Sequence, residues 1–159
     1  MDLYSIALFV HIVGAVLIFV ALTIEGVSLR VGFSAASINQ VLGPISAVAV
    51  LVPGAYMMWA QVGWSGWVAV GIVVYVLIAA GGAFTGINVM RGRMSSGAAT
   101  VSWLVRVGMA LGVLFDMTVK PNVAVSIFAV IVAAAVGATA SRIRRAQVAR
   151  ASIPGLLNQ

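Results

Sequence analysis

The sequence predicts an all-α fold, a polytopic bundle of five transmembrane helices with the N-terminus outside and the C-terminus inside. Three observations carry this expectation. Hydrophobic residues make up 63% of the 159 positions and charged residues only 8%, where a soluble domain carries about 25% charged residues. The mean hydropathy is +1.18. The apolar residues also fall into five runs close to the roughly 20 residues that cross a hydrocarbon core, with short polar joints between them.

The runs are 3–29, 40–61, 66–90, 100–119 and 122–141. Residues 30–39, 61–65, 91–99 and the Lys120-Pro121-Asn122 turn join them, the last because proline cannot continue helical hydrogen bonding. The first run opens Met1-Asp2-Leu3 rather than on basic residues, and it exceeds the apolar core of a signal peptide. It is therefore read as a retained span. Pro53-Gly54 is expected to kink or loosen the second run. Residues 1–141 then form one transmembrane bundle and 142–159 a basic cytoplasmic tail.

The basic residues set the orientation. Arg30 lies in the first joint, Arg91 and Arg93 in the third, and Arg142, Arg144, Arg145 and Arg150 follow the last run. Basic residues mark the cytoplasmic side, so the odd joints and the tail are placed inside. The tail arginines are expected to meet anionic lipid headgroups, each contributing about 1 kcal/mol near the surface. Trp59, Trp64 and Trp67 gather around the second joint, where tryptophan anchors a span at the headgroup level. Small residues recur at four-residue spacing at Gly82 and Gly86, Gly108 and Gly112, and Ala129, Ala133 and Gly137. That spacing lets helices approach closely in lipid.

Composition narrows the function classes. There is no cysteine, which excludes thiolate metal sites and iron–sulfur clusters. The net charge of +6 is accounted for by basic residues at span ends, so the partner is the lipid bilayer and not nucleic acid. No phosphate loop, nucleotide fingerprint or zinc spacing occurs, and no nucleophile–base constellation stands out. The chain is read as a non-enzyme.

Charged residues inside a span are costly, about 2.5–3.5 kcal/mol each at the bilayer centre, and need a partner or a wet cavity. Four stand out, His11, Glu25, Arg106 and Asp116, with Lys120 at a span end. Ser102, Arg106, Met109, Val113, Asp116 and Lys120 follow one another at alternating four- and three-residue spacing, which puts them on one stripe of span four. His11, Ala15, Ile18, Leu22 and Glu25 share a face of span one in the same way. Asp116 and Lys120, four residues apart, have the spacing of a helical ion pair. An antiparallel arrangement of spans one and four matches Glu25 to Arg106, near the inner end of span four, and His11 to Asp116 and Lys120. This polar seam either fixes helix order by mutual neutralisation or lines a path for a proton, ion or small molecule.

Metal and haem form the alternative. His11 with Met57, Met58 and Met117 supplies soft ligands of the kind copper(I) takes. Haem held by two histidines of one chain is excluded by the single histidine, which leaves His–Met or dimer-shared ligation. The leading expectation is no cofactor.

His11-Ile12-Val13-Gly14-Ala15, Pro53-Gly54 followed by Tyr56 ahead of a tryptophan-rich turn, and Met117-Thr118-Val119-Lys120-Pro121 resemble the HxxGA and MxxKP motifs of a family of small predicted bacterial integral membrane proteins of unknown function. That family is loosely similar to the membrane domain of copper-resistance D-type proteins. The resemblance covers most of the chain. It implies a small helical bundle in a prokaryotic plasma membrane and brings no assigned activity. The expected role is to bind or pass a small solute or ion through the seam between spans one and four. A copper- or haem-binding redox or transport component, and a structural subunit of a membrane complex or homo-oligomer, are the alternatives.

Overall fold

Five helices long and apolar enough to cross a membrane make up the fold. The computed structural model describes residues 2–31 and 36–152, with side chains described for 2–31 and 37–141. The helices are α1 (Leu3–Val31), α2 (Ala36–Met57), α3 (Gly66–Met90), α4 (Ser96–Val119) and α5 (Val123–Ser152). A π-helical turn, Met58–Val62, extends α2.

The boundaries follow local chemistry. Asp2 Oδ1 accepts from Ser5 N–H at 2.8 Å and caps α1. Ser95 accepts from Ala98 N–H at 3.2 Å, so α4 starts four residues before the predicted 100. Asn122 accepts from Val125 N–H at 3.0 Å and opens α5. Glycines in the left-handed region, Gly63 at φ 70° and Gly92 at φ 64°, turn the chain after α2 and α3. Both Pro44 and Pro53 lie within α2, which carries on past them and widens into its π turn four residues beyond Gly54. Proline removes a hydrogen-bond donor and crowds the turn before it, yet α2 stays α-helical through Pro53-Gly54 to Met57, so the predicted kink does not break it.

Helix α5 runs on past 141 to Ser152 without interruption. The expectation that Arg142, Arg144, Arg145 and Arg150 meet headgroups falls on side chains outside the described residues.

Helix α4 is the centre of the bundle. It packs most extensively on α5, then on α3, and it also crosses α1, while α2 packs chiefly on α1. The α4–α5 contact is made by glycines. A Cβ on Gly108 would overlap the Ala133 carbonyl, one on Gly137 the Leu104 carbonyl, and one on Gly112 would stand 2.9 Å from Val130 Cα. Backbones meet directly there, which is how helices gain packing where lipid offers no hydrophobic driving force. Pairing 104 with 137, 108 with 133 and 112 with 130 defines an antiparallel register, and its continuation sets Asp116 level with Ser126.

A core of Leu22, Val74, Ile78, Ala110 and Val130 joins α1, α3, α4 and α5. Outside it, large apolar side chains lie open along every span, among them Phe9, Val52, Phe84 and Phe128. Such a surface is stable against lipid and not against water.

Candidate functional site

The polar side chains of the spans resolve into three places, two on α4 and one between α1 and α2. The first is the α1–α4 crossing. Arg106 is buried, its side chain 5% exposed, and Glu25 is 17% exposed. The guanidinium holds the carboxylate with both terminal nitrogens. Nη1 donates to Oε2 at 2.8 Å and Nη2 donates to Oε1. This fork is the geometry that distinguishes arginine from lysine as an ion-pair partner.

Space for that fork comes from glycines. Arg106 runs along α3 where a Cβ on Gly81 would lie 3.2 Å from its Cδ, and one on Gly82 would lie 3.1 Å from Nη1. Beside it, the Trp103 ring occupies the place where a Cβ on Gly26 would be, and its Nε1 donates to the Leu22 carbonyl at 2.7 Å. The crossing is therefore filled, and its charges are neutralised. Arg106 Nε alone remains buried without a partner. Arg106 is the eleventh residue of a helix that begins at Ser96, about 15 Å along it. That places it near mid-span and not near the inner end as predicted.

The second place is Asp116. Its side chain is 0% exposed, and neither carboxylate oxygen has a hydrogen-bond partner. Ser126 of α5, also 0% exposed, lies against it, yet its Oγ makes no hydrogen bond of ordinary geometry. Asp116 lies three residues from the end of α4.

The predicted pairing of Asp116 with Lys120 does not form. Lys120 is the C-cap of α4, in the left-handed region at φ 51°. Its N–H still bonds the Asp116 carbonyl at 2.8 Å, but the left-handed φ turns its side chain out of the helical direction. Its ammonium instead stands over the Trp67 ring, 6.0 Å from the centroid, within cation–π range.

The third place corrects the expectation for His11. The ring turns to α2 rather than to α4. Nδ1 donates to the Val50 carbonyl at 2.8 Å, and Gly54 leaves room for the ring, since a Cβ there would lie 3.3 Å from Cε1 and Nδ1. A carbonyl only accepts, so Nδ1 carries a proton. Pro53 has no N–H for the Ala49 carbonyl and crowds this turn of α2. The carbonyl that His11 meets belongs to that loosened turn. On α1, His11 and Gly14 meet α2, while Leu22, Glu25 and Gly26 meet α4. The predicted single face of α1 is thus divided between two neighbours.

Four of the six residues of the α4 stripe meet α3, whereas Asp116 lies against Ser126 of α5. Ser102 bonds Thr85 Oγ1 at 2.6 Å, Arg106 passes Gly81 and Gly82, Val113 is 4.0 Å from a Cβ placed on Gly71, and Lys120 reaches Trp67. From span one, Glu25 bonds Arg106 of the stripe, and Leu22 joins the core against which Met109 and Val113 pack.

Met57 and Met58 lie at the end of α2 and in the π turn, and Met117 follows Asp116 on α4. Among the described residues no three His, Asp or Glu side chains gather as metal ligands. Trp103, Gly26, Gly81 and Gly82 are the residues that sequence reasoning missed as parts of the crossing. Trp103 stands one turn before Arg106, and Gly26 adjoins Glu25, so the two charges were the available signal.

No protein family, curated protein or solved structure matches the chain.

Proposed function

We propose that the chain is a small, non-enzymatic multi-pass membrane protein that takes up a proton at Asp116. One observation carries this reading: a fully buried carboxyl in an apolar span, with no hydrogen bond to either oxygen. A bare carboxylate in such surroundings lacks what offsets its desolvation. A proton removes that cost and gives the acid a hydrogen bond to share with Ser126. A hard metal cation calls for about six oxygens, and the place offers the two of Asp116 and the one of Ser126.

The membrane is a prokaryotic plasma membrane in this reading, with the N-terminus outside. Arg30, Arg91 and Arg93 share the face opposite Asp116, as the positive-inside rule requires. Asp116 then meets protons from the outer face, about 5 Å below the end of its helix. The Glu25–Arg106 crossing acts as a lock and not as a conduit, because Trp103 fills it and its charges cancel.

The test is carbodiimide chemistry on the purified full chain. Dicyclohexylcarbodiimide attacks protonated carboxyls in apolar surroundings. An adduct mapped to Asp116 by mass spectrometry, absent in Asp116→Asn and absent from Glu25, is the expected outcome. An Asp116 that stays unmodified over pH 5–8 while Glu25 reacts overturns the reading.

A further inference from the structure

An apolar groove of about 410 Å³ opens between α3 and α5. Gly66, Val70 and Val74 line it on one side, and Val123, Ile127 and Ile131 on the other. It starts where both helices start, since Gly66 is the first residue of α3 and Val123 the first of α5. From there it descends eight residues along each helix, about 12 Å. One leaflet of hydrocarbon is about 15 Å deep, half of the bilayer core. The groove therefore runs from the headgroup level nearly to mid-membrane.

Charge gathers at its mouth. Lys120 stands three residues before Val123, exposed, with its ammonium over the ring of Trp67, the neighbour of Gly66. The N-terminal ends of two helices, where the macrodipole is positive, point toward the same end, although Val125 N–H is already taken by Asn122 and Val68 N–H by the Ser65 carbonyl. Ser65, the N-cap of α3, makes no capping bond, and its Oγ is buried without a partner. No acidic side chain among the described residues pairs with Lys120. Trp59 and Trp64, 91% and 71% exposed, mark this face as headgroup level.

We propose that the α3–α5 groove binds one anionic phospholipid, its acyl chain along the groove and its phosphate at Lys120. The apolar lining selects for a hydrocarbon chain, the depth matches one leaflet, and the cation at the mouth selects the headgroup. A helix of a second copy is a poorer fit, because a helix with side chains is about 10–12 Å across and would leave Lys120 without a counter-charge.

Native mass spectrometry of the full chain, released from mixed micelles of phosphatidylglycerol and phosphatidylcholine, tests this. The wild type is expected to retain a single phosphatidylglycerol in preference to phosphatidylcholine. Lys120→Gln should cut that preference about fivefold, the ratio that corresponds to about 1 kcal/mol for one surface lysine. Ala69→Phe, which fills the groove, should abolish retention of both lipids while circular dichroism and melting stay those of the wild type. Arg91→Gln, at the opposite face, should change nothing. Equal retention of the two lipids by the wild type, or a preference that survives Lys120→Gln, overturns the proposal. So does a retained lipid that Ala69→Phe leaves in place, since it would lie elsewhere on the surface.

Discussion

Arg106 and Glu25 are 81 residues apart in the chain and meet as a two-pronged ion pair inside the membrane. Each is the other's only charged partner among the described residues. A surviving partner left buried and unpaired is destabilising by about 3–5 kcal/mol. Glu25→Gln and Arg106→Met are each expected to lower stability by that order in a detergent unfolding titration. The double substitution should recover at least about 1 kcal/mol of the summed loss. Strictly additive losses would show that the pair contributes nothing as a pair.

Glycines at helix contacts should divide sharply by what surrounds them. Gly26→Leu must displace the Trp103 ring, and Gly108→Val and Gly137→Val must push α4 and α5 apart. Overpacking of this kind costs about 1–3 kcal/mol or more. Gly86 has nothing within 4 Å of a Cβ. Gly86→Ala should therefore leave stability unchanged or raise it by up to about 1 kcal/mol of helix propensity, read as an unchanged or higher melting temperature. A uniform response across these four positions would contradict the packing described.

The His11 tautomer is directly observable. Nitrogen-15 chemical shifts of the neutral ring should report a protonated Nδ1 and a bare Nε2, the reverse of the form usual in water. His11→Leu should cost about 1 kcal/mol for the lost bond to Val50. A ring with its proton on Nε2 would place His11 away from that carbonyl.

Asp2 gives the start of α1 a dependence on acid. Its carboxylate accepts from Ser5, and the hydrogen bonds to Ser5 hold its pKa below the ordinary 3.8. A depressed folded-state pKa contributes stability that is present above the unfolded value and is lost as pH falls through the folded one. Exchange protection of the Ser5 amide should accordingly be constant from neutral pH down to about 4 and fall below it. Asp2→Asn should remove that dependence. Protection that rises on acidification would reverse the assigned sign.

Much of this protein was legible in its sequence. Hydropathy alone placed five spans, because a helix in lipid must be apolar along its whole length. The boundaries of α3 at Gly66 and Met90 coincide with the apolar run, since Ser65 and Gly92 flank it with turn chemistry. Three- and four-residue spacing also placed Ser102, Arg106 and Lys120 on one face of α4, which the contacts with α3 bear out. The meeting of Glu25 with Arg106 followed from there being few charges and a strong need to pair them.

Only tertiary structure decided which neighbour each face meets. Periodicity reports that residues share a side of a helix and carries nothing about what lies across from it. Hence the α4 stripe turned out to face α3 at Ser102, Arg106 and Lys120 and α5 at Asp116, and the α1 face was divided between α2 and α4. His11 went to a carbonyl on a proline-loosened turn, a main-chain partner with no signature in residue type. Lys120 left Asp116 because its own left-handed φ redirects the side chain, although its N–H still bonds the Asp116 carbonyl, and that is a matter of backbone conformation. The glycines at 26, 81, 82, 108 and 137 are alike as letters. The close approach of a neighbouring helix is what makes them required, and that approach exists only once the bundle is assembled.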